Sequence, residues 1–122
     1  MPPSTTTETT NADTPFDTAI VDRVTAWPGV TAQQGGRGEL SLRLGRRELG
    51  HLHGDRVAHF SFPKALWAEL MASERVVAHP IDRPGLAARA LREPADVDEA
   101  VALMRLNYDR ANAAAPAGGP RR

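Results

Sequence analysis

The sequence predicts a single α+β domain with a largely antiparallel sheet of about five strands and three helices mainly on one face. Segments with helical apolar spacing alternate with short segments of period two. Turns that contain Gly or Pro separate neighbouring strands. A chain of 122 residues has room for one domain and can bury a core without disulfide bonds.

Three segments carry helix signals. The first follows a Thr14 cap and Pro15 and ends at Pro28-Gly29. The second opens at Pro63, and the third starts at an Asp96 cap with Glu99 as its capping-box partner. Each helix carries an apolar stripe: Phe16, Ile20, Val24 and Trp27 in the first; Leu66, Trp67, Leu70 and Met71 in the second; Val97, Val101, Met104 and Tyr108 in the third.

The strands are predicted from alternation and turn chemistry. Leu40, Leu42 and Leu44 share one face of a strand, and Gly45-Arg46 forms a two-residue hairpin loop. That register sets Arg43 opposite Glu48, Leu42 opposite Leu49 and Leu40 opposite His51. A second two-residue loop at Gly54-Asp55 sets His51 opposite Ala58. His51 and His53 then lie on the apolar face and His59 on the other face. Residues 30–33, 75–79 and 86–91 are the further strand candidates.

The two ends of the chain differ in composition from residues 14–111, which we assign to the domain. Residues 1–13 are rich in Thr and Pro, and residues 112–122 in Ala, Gly and Pro. Both are predicted to be disordered tails, because neither can bury enough apolar surface. We expect a cytoplasmic protein with no membrane partner: there is no cysteine, no secretory signal, and no run of ~20 apolar residues.

Charge argues against a dedicated nucleic-acid binder. The net charge of the chain is zero, although residues 23–93 hold eleven Arg/Lys against seven Asp/Glu, a net of plus four. This is far weaker than the basic stripe of such proteins. Nucleic acid is therefore not an expected partner, and weak binding through the basic middle segment is only a third option.

All four histidines fall between positions 51 and 79, and they define the candidate ligand-binding site: His51, His53, Asp55, His59 and His79. His51 and His53 share a face of their strand. A metal site needs about three converging ligands. The third would require either a three-residue loop, which brings His59 beside His51, or help from His79. We therefore assign no metal, no cofactor and no catalytic residue. No serine-elbow or phosphate-loop motif is present.

Three segments together resemble a known family: residues 48–54, the Phe60-Ser61-Phe62-Pro63 run, and an Arg-Val strand that ends at His79. They are similar to the small luciferase-like domain family of unknown function, over about Trp27 to Arg110. The sequence departs from the family pattern at Gly85-Leu86, where other members carry Gly-Trp. The resemblance implies a small α+β domain and no specific reaction.

The leading expectation is a domain that binds a small ligand or a protein partner at the His51/His53 edge of the sheet. The alternative is a metal-dependent enzyme, hydrolytic or oxidative, that uses the histidine cluster. The choice between them depends on whether the histidines converge.

Overall fold

The computed structural model describes residues 14–114. The elements follow the order α1 (Phe16–Val24), β1 (Val30–Gln34), β2 (Leu40–Leu44), β3 (Arg47–His53), β4 (Val57–Ser61), α2 (Lys64–Ala72), β5 (Val77–Ala78), β6 (Leu86–Ala90) and α3 (Pro94–Ala114). The predicted N-terminal tail lies outside the described residues, as does residue 115 onward of the predicted C-terminal tail. Helix α3 extends three residues past the predicted domain boundary at 111.

The strands form one antiparallel sheet in the order β1-β2-β3-β4-β6-β5. The predicted α+β class is confirmed, with six strands where about five were expected. The sixth strand is β1, since residues 30–33 were only a candidate for a short strand. Strand β5 has two residues and pairs with β6 at the sheet edge, so it is shorter than the predicted strand 75–79.

The core lies between one face of the sheet and the helices, and we call this face the helix face. Its largest fully buried side chains come from α1, β2, β3 and α3: Ile20, Val24, Leu42, Leu49, Leu52, Val97, Leu103 and Met104. Helix α3 lies close against β3 at Gly50. A Cβ atom there would come within 3.0 Å of the Met104 methyl and 3.1 Å of the Phe60 ring. A side chain at this position would hold the helix away from the sheet.

The start of α3 differs from the predicted capping box. The helix begins at Pro94, and the Asp96 carboxylate accepts the backbone N–H groups of Arg92 and Glu93 at 2.8 and 3.1 Å. It also pairs with Arg89 at 2.8 Å. Burial opposes ionisation of Asp96, but these hydrogen bonds hold its pKa below the usual value. Glu99, the expected capping partner, instead pairs with Arg75.

The first helix also lacks the predicted cap. Pro15 occupies the N-cap position of α1, and no side chain makes a capping hydrogen bond there. The helix ends at Val24, before Trp27 and the Pro28-Gly29 break. Its buried stripe, Ile20 and Val24, is as predicted.

The predicted register is right at the β2–β3 turn and wrong beyond it. Gly45-Arg46 is the hairpin loop, and Arg43 pairs with Glu48. The pairing then shifts, because Leu42 lies opposite Gly50 and leaves Leu49 as an extra residue. This is a β-bulge, and one inserted residue moves every following side chain to the other face. Leu40 consequently pairs with Leu52 and not with His51.

The β3–β4 loop also differs from the prediction. It has three residues, 54–56, because His53 pairs with Val57. His51 therefore lies opposite His59 and not opposite Ala58. The bulge and the extra loop residue lie on either side of the segment 50–53, and only the residues of this segment change face relative to the prediction. His51 and His53 thus leave the predicted apolar face and join His59 on the opposite face, which we call the open face.

Candidate metal centre

Three histidines converge at the middle of the open face, and we call them the histidine triad: His51, His53 and His59. Strand β3 supplies the first two at i and i+2, and β4 supplies the third as the cross-strand partner of His51. One ring nitrogen from each can be chosen so that all three lie within 4.8 Å of one another. Because they project from paired strands, the sheet fixes their spacing.

His59 is the centre of the cluster. Its ring centroid lies 5.2 Å from that of His51, 4.5 Å from that of His53 and 4.2 Å from that of His79. The next register position across the sheet is Ala88, a small residue. The fourth ring, His79, approaches from the segment after β5, and its Nδ1 accepts the Ile81 backbone N–H at 2.9 Å.

His59 is held in its neutral form at physiological pH. The side chain is buried, with 8% of the residue exposed. Burial, followed by the neighbouring His79, His53 and His51, lowers its pKa to about 4. Its buried Nδ1 has no hydrogen-bond partner among the described residues. A neutral imidazole with an unpaired nitrogen is the form that binds a metal ion. Burial and the nearby His51 and His53 also lower the pKa of His79.

A polar network supports His51 from the β2 side. Its Nδ1 lies 3.3 Å from the Glu48 carboxylate, which in turn accepts the Ser41 hydroxyl at 2.6 Å. Arg43 donates to the Ser41 hydroxyl at 3.2 Å and to the Arg46 carbonyl at 2.7 Å. The contact with His51 lowers the pKa of Glu48 against the opposing effect of burial, and the Ser41 hydroxyl adds to this.

Two carboxylates flank the triad and favour a cation there. Glu48 contacts His51. Backbone hydrogen bonds of Glu39 and Arg37 lower the pKa of Glu39, and the nearby His51 and His53 add a smaller effect in the same direction. Asp55, the remaining predicted site residue, lies exposed in the β3–β4 loop and is outside the group of converging ligands.

The triad matches the ligand set of a metal centre with an open position. Zinc binds imidazole nitrogen at ~2.0–2.1 Å, so tetrahedral ligands lie about 3.3 Å apart. One ring nitrogen from each of the three histidines lies within 4.8 Å of the other two, so the rings must move closer together to reach this spacing. Three protein ligands leave a fourth position for water or another small molecule. Because the rings project from the open face, we expect that position to point to solvent.

A shallow polar trough adjoins the triad on the β1–β2 side. It has a volume of 540 Å³ and shares Ser41 and Glu48 with the network that supports His51. Its remaining lining is polar or glycine: Gln33, Gln34, Gly35, Glu39, Arg43, Gly45 and Arg46. The trough therefore offers hydrogen-bond donors and acceptors of both charges within reach of the triad.

The residues predicted from the sequence include the three histidines that converge, but not the residues that support them. Glu48, Ser41 and Arg43 were not predicted site residues, although the Arg43–Glu48 pairing was. Glu48 stands three positions before His51, a spacing that places two residues on opposite faces of a regular strand. Only the bulge puts them on one face. The sequence signal that could have indicated it is Gly50, an isolated glycine inside the strand.

A comparison with known protein families identifies a family whose matched segment includes the triad. A sequence profile described as Luciferase domain matches residues 46–107. No curated protein and no solved structure matches the chain. Among residues 14–114, no helix has the length and apolar character needed to cross a membrane. The match spans just over half of the chain and contains all four histidines. This chain belongs to the Luciferase domain family.

Proposed function

We propose that this domain binds a divalent transition metal ion through His51, His53 and His59 and holds a small polar ligand beside it. The observation that carries the proposal is the convergence of three imidazole nitrogens within 4.8 Å on one rigid sheet face. Imidazole ligands suit zinc, copper, iron and nickel, and zinc is the first ion to test.

The protonation state of His59 supports metal binding near neutral pH. Metal binding requires neutral imidazole, so a proton competes with the metal for each ring. The low pKa of His59 removes that competition at the buried ligand. The carboxylates of Glu48 and Glu39 add negative potential beside the other two rings. A cation here is therefore paired with nearby carboxylates.

The open coordination position and the trough together indicate the chemical class of the small ligand. A metal ion with three imidazole ligands polarises a bound oxygen atom or lowers the pKa of a bound water. The polar lining of the trough favours a small ligand with several hydrogen-bonding groups over an apolar one. We assign the protein chain the tasks of binding and orienting this ligand.

Titration of the full chain, without a histidine tag, with Zn²⁺ against a chromophoric chelator tests the proposal. We expect one tight site per chain. The Co²⁺ form should show the intense visible absorption of a low-coordinate site. His59→Ala should weaken zinc binding by more than about 100-fold, beyond the 10–100-fold that loss of an outer contact costs. His53→Ala, at a half-buried position, is the companion variant in case His59→Ala folds poorly.

Asp55→Asn is the matched control, because it removes a charge from the adjacent loop without removing a triad ligand. We expect its zinc affinity to equal that of the unmodified chain. Absence of stoichiometric zinc, or equal affinity in the His53→Ala and unmodified chains, would refute the proposal.

A further inference from the structure

We infer that Glu48 is a positioning residue that fixes His51 with Nδ1 protonated and Nε2 free to bind the metal ion or ligand. The inference rests on the proposed function, which supplies the metal ion. It adds how one of the metal-binding side chains, His51, is oriented. Its basis is the contact between the Glu48 carboxylate and the His51 ring, together with the backbone irregularity that creates it.

The contact exists because of the bulge in β3. Glu48 and His51 are three residues apart, so a regular strand would place them on opposite faces. The extra residue, Leu49, changes this parity, and both side chains lie on the open face. Bulges near active sites commonly redirect a side chain in this way.

The bulge is held from the helix face. Asn107 of α3 is buried, and its amide donates to the Leu49 carbonyl at 3.1 Å and to the Ser61 carbonyl at 3.2 Å. Leu49 itself is 1% exposed and packs in the core. The irregular residue therefore has both a packed side chain and a hydrogen-bonded carbonyl, which keeps Glu48 in place.

The Glu48 carboxylate determines which ring nitrogen of His51 carries the hydrogen. An ionised carboxylate only accepts, so the His51 nitrogen that faces it, at 3.3 Å, must carry the hydrogen. The Ser41 hydroxyl donates to the same carboxylate and accepts from Arg43, which fixes the carboxylate in turn. In neutral imidazole the second nitrogen, Nε2, then holds the lone pair.

This arrangement matches the outer-contact pattern of metal-binding histidines. Such histidines usually donate their second ring hydrogen to a carboxylate or carbonyl, which orients the ring and raises its basicity. Among the triad, only His51 has a carboxylate partner within residues 14–114. Glu48 thus acts through His51, without contact with the metal position.

The test combines ring-nitrogen NMR of the metal-free chain with zinc titration. In the unmodified chain at pH 7.5, the His51 nitrogen shifts should report hydrogen on Nδ1. In Glu48→Gln the Nε2-protonated form should increase, and zinc affinity should fall 10–100-fold. Glu39→Gln is the comparison for charge alone. It also removes a carboxylate that favours a cation at the triad, but one without a contact to His51, so its loss of zinc affinity should be smaller than that of Glu48→Gln.

The two readouts separate the two proposals. Hydrogen on Nε2 of His51 in the unmodified chain would overturn the role of Glu48, even if zinc binds. An equal loss of affinity in Glu39→Gln would also overturn it, because the effect would then be one of general charge. A failure of zinc to bind, with hydrogen still on Nδ1, would refute the metal proposal and leave the orientation of His51 by Glu48 standing.

Discussion

The two faces of the sheet differ in the side chains that they present and in the contacts that these make, although the same strands form both. On the helix face, β3 presents Leu49 and Leu52, each 1% exposed, to a packed apolar core. On the open face, the same strand presents His51 and His53, which are half-buried and contact other imidazoles and a carboxylate. The helix face supplies the stability that holds the open face rigid, so substitutions on the two faces should have separable effects.

The sharpest test of this separation compares neighbours on β3, and it has the largest expected effect. Leu52→Ala should lower the free energy of unfolding by about 2–5 kcal/mol, because it leaves a cavity in the core. His53→Ala, one residue on, should change it by less than about 0.5 kcal/mol. Urea denaturation of the metal-free chains gives both values. Similar losses in the two variants would mean that the open face is also part of the core.

Acid should lower the free energy of unfolding of the metal-free protein, because His59 on the open face resists protonation in the folded chain. The pKa of His59 is about 4 in the folded chain, against 6.5 for an unperturbed histidine, so the unfolded chain binds more protons between these values. Stability is therefore full above pH 6.5 and falls as the pH drops towards about 4. The full shift would correspond to about 3 kcal/mol. Screening by the solvent beside this face reduces the expected loss to about 2 kcal/mol.

Chelator-treated protein, denatured with urea at intervals between pH 7.5 and 4.5, measures this loss. His59→Leu should show a flatter dependence than the unmodified chain over the same window, because the variant has no group at this position that titrates there. If the two curves run parallel, His59 is not the source of the acid sensitivity.

The smallest expected effect is the change of zinc affinity on substitution of the fourth histidine, His79. The His79 ring lies 4.2 Å from the His59 ring at a tilt of 54°. Its Nδ1 accepts a backbone N–H, which leaves the hydrogen on Nε2 and no free lone pair. His79→Ala should therefore change zinc affinity by less than about threefold. A tenfold change would correspond to about 1.4 kcal/mol. Competition titration measures this, and a loss above tenfold would make His79 a ligand.

The sequence predicted the fold class because that class depends on patterns that span whole elements. The apolar stripes of α1, α2 and α3 and the alternation in β2 each rest on several residues, so no single residue could reverse them. The Gly45-Arg46 turn likewise fixed the first cross-strand pair, Arg43 with Glu48, correctly. Patterns of this kind tolerate local error.

The site was harder to predict because the face of a strand changes with one residue. The bulge at Leu49 and the third residue of the 54–56 loop each shift the parity, and together they invert only the segment between them. His59 was expected on the face away from the core and lies there. His51 and His53 were expected among the leucines and lie beside His59 instead. The decisive contact, Asn107 with the Leu49 carbonyl, joins residues 58 positions apart, beyond the reach of local patterns.

The Asn107 hydrogen bond also connects the two faces of the sheet through the backbone of β3. A buried amide on α3 holds a carbonyl of β3, and the residue just before that carbonyl presents its side chain to solvent on the far side. We therefore expect a displacement of α3 to move the Leu49 carbonyl and, with it, the backbone that carries the Glu48 carboxylate. One peptide group thus links the helix layer to the imidazole layer.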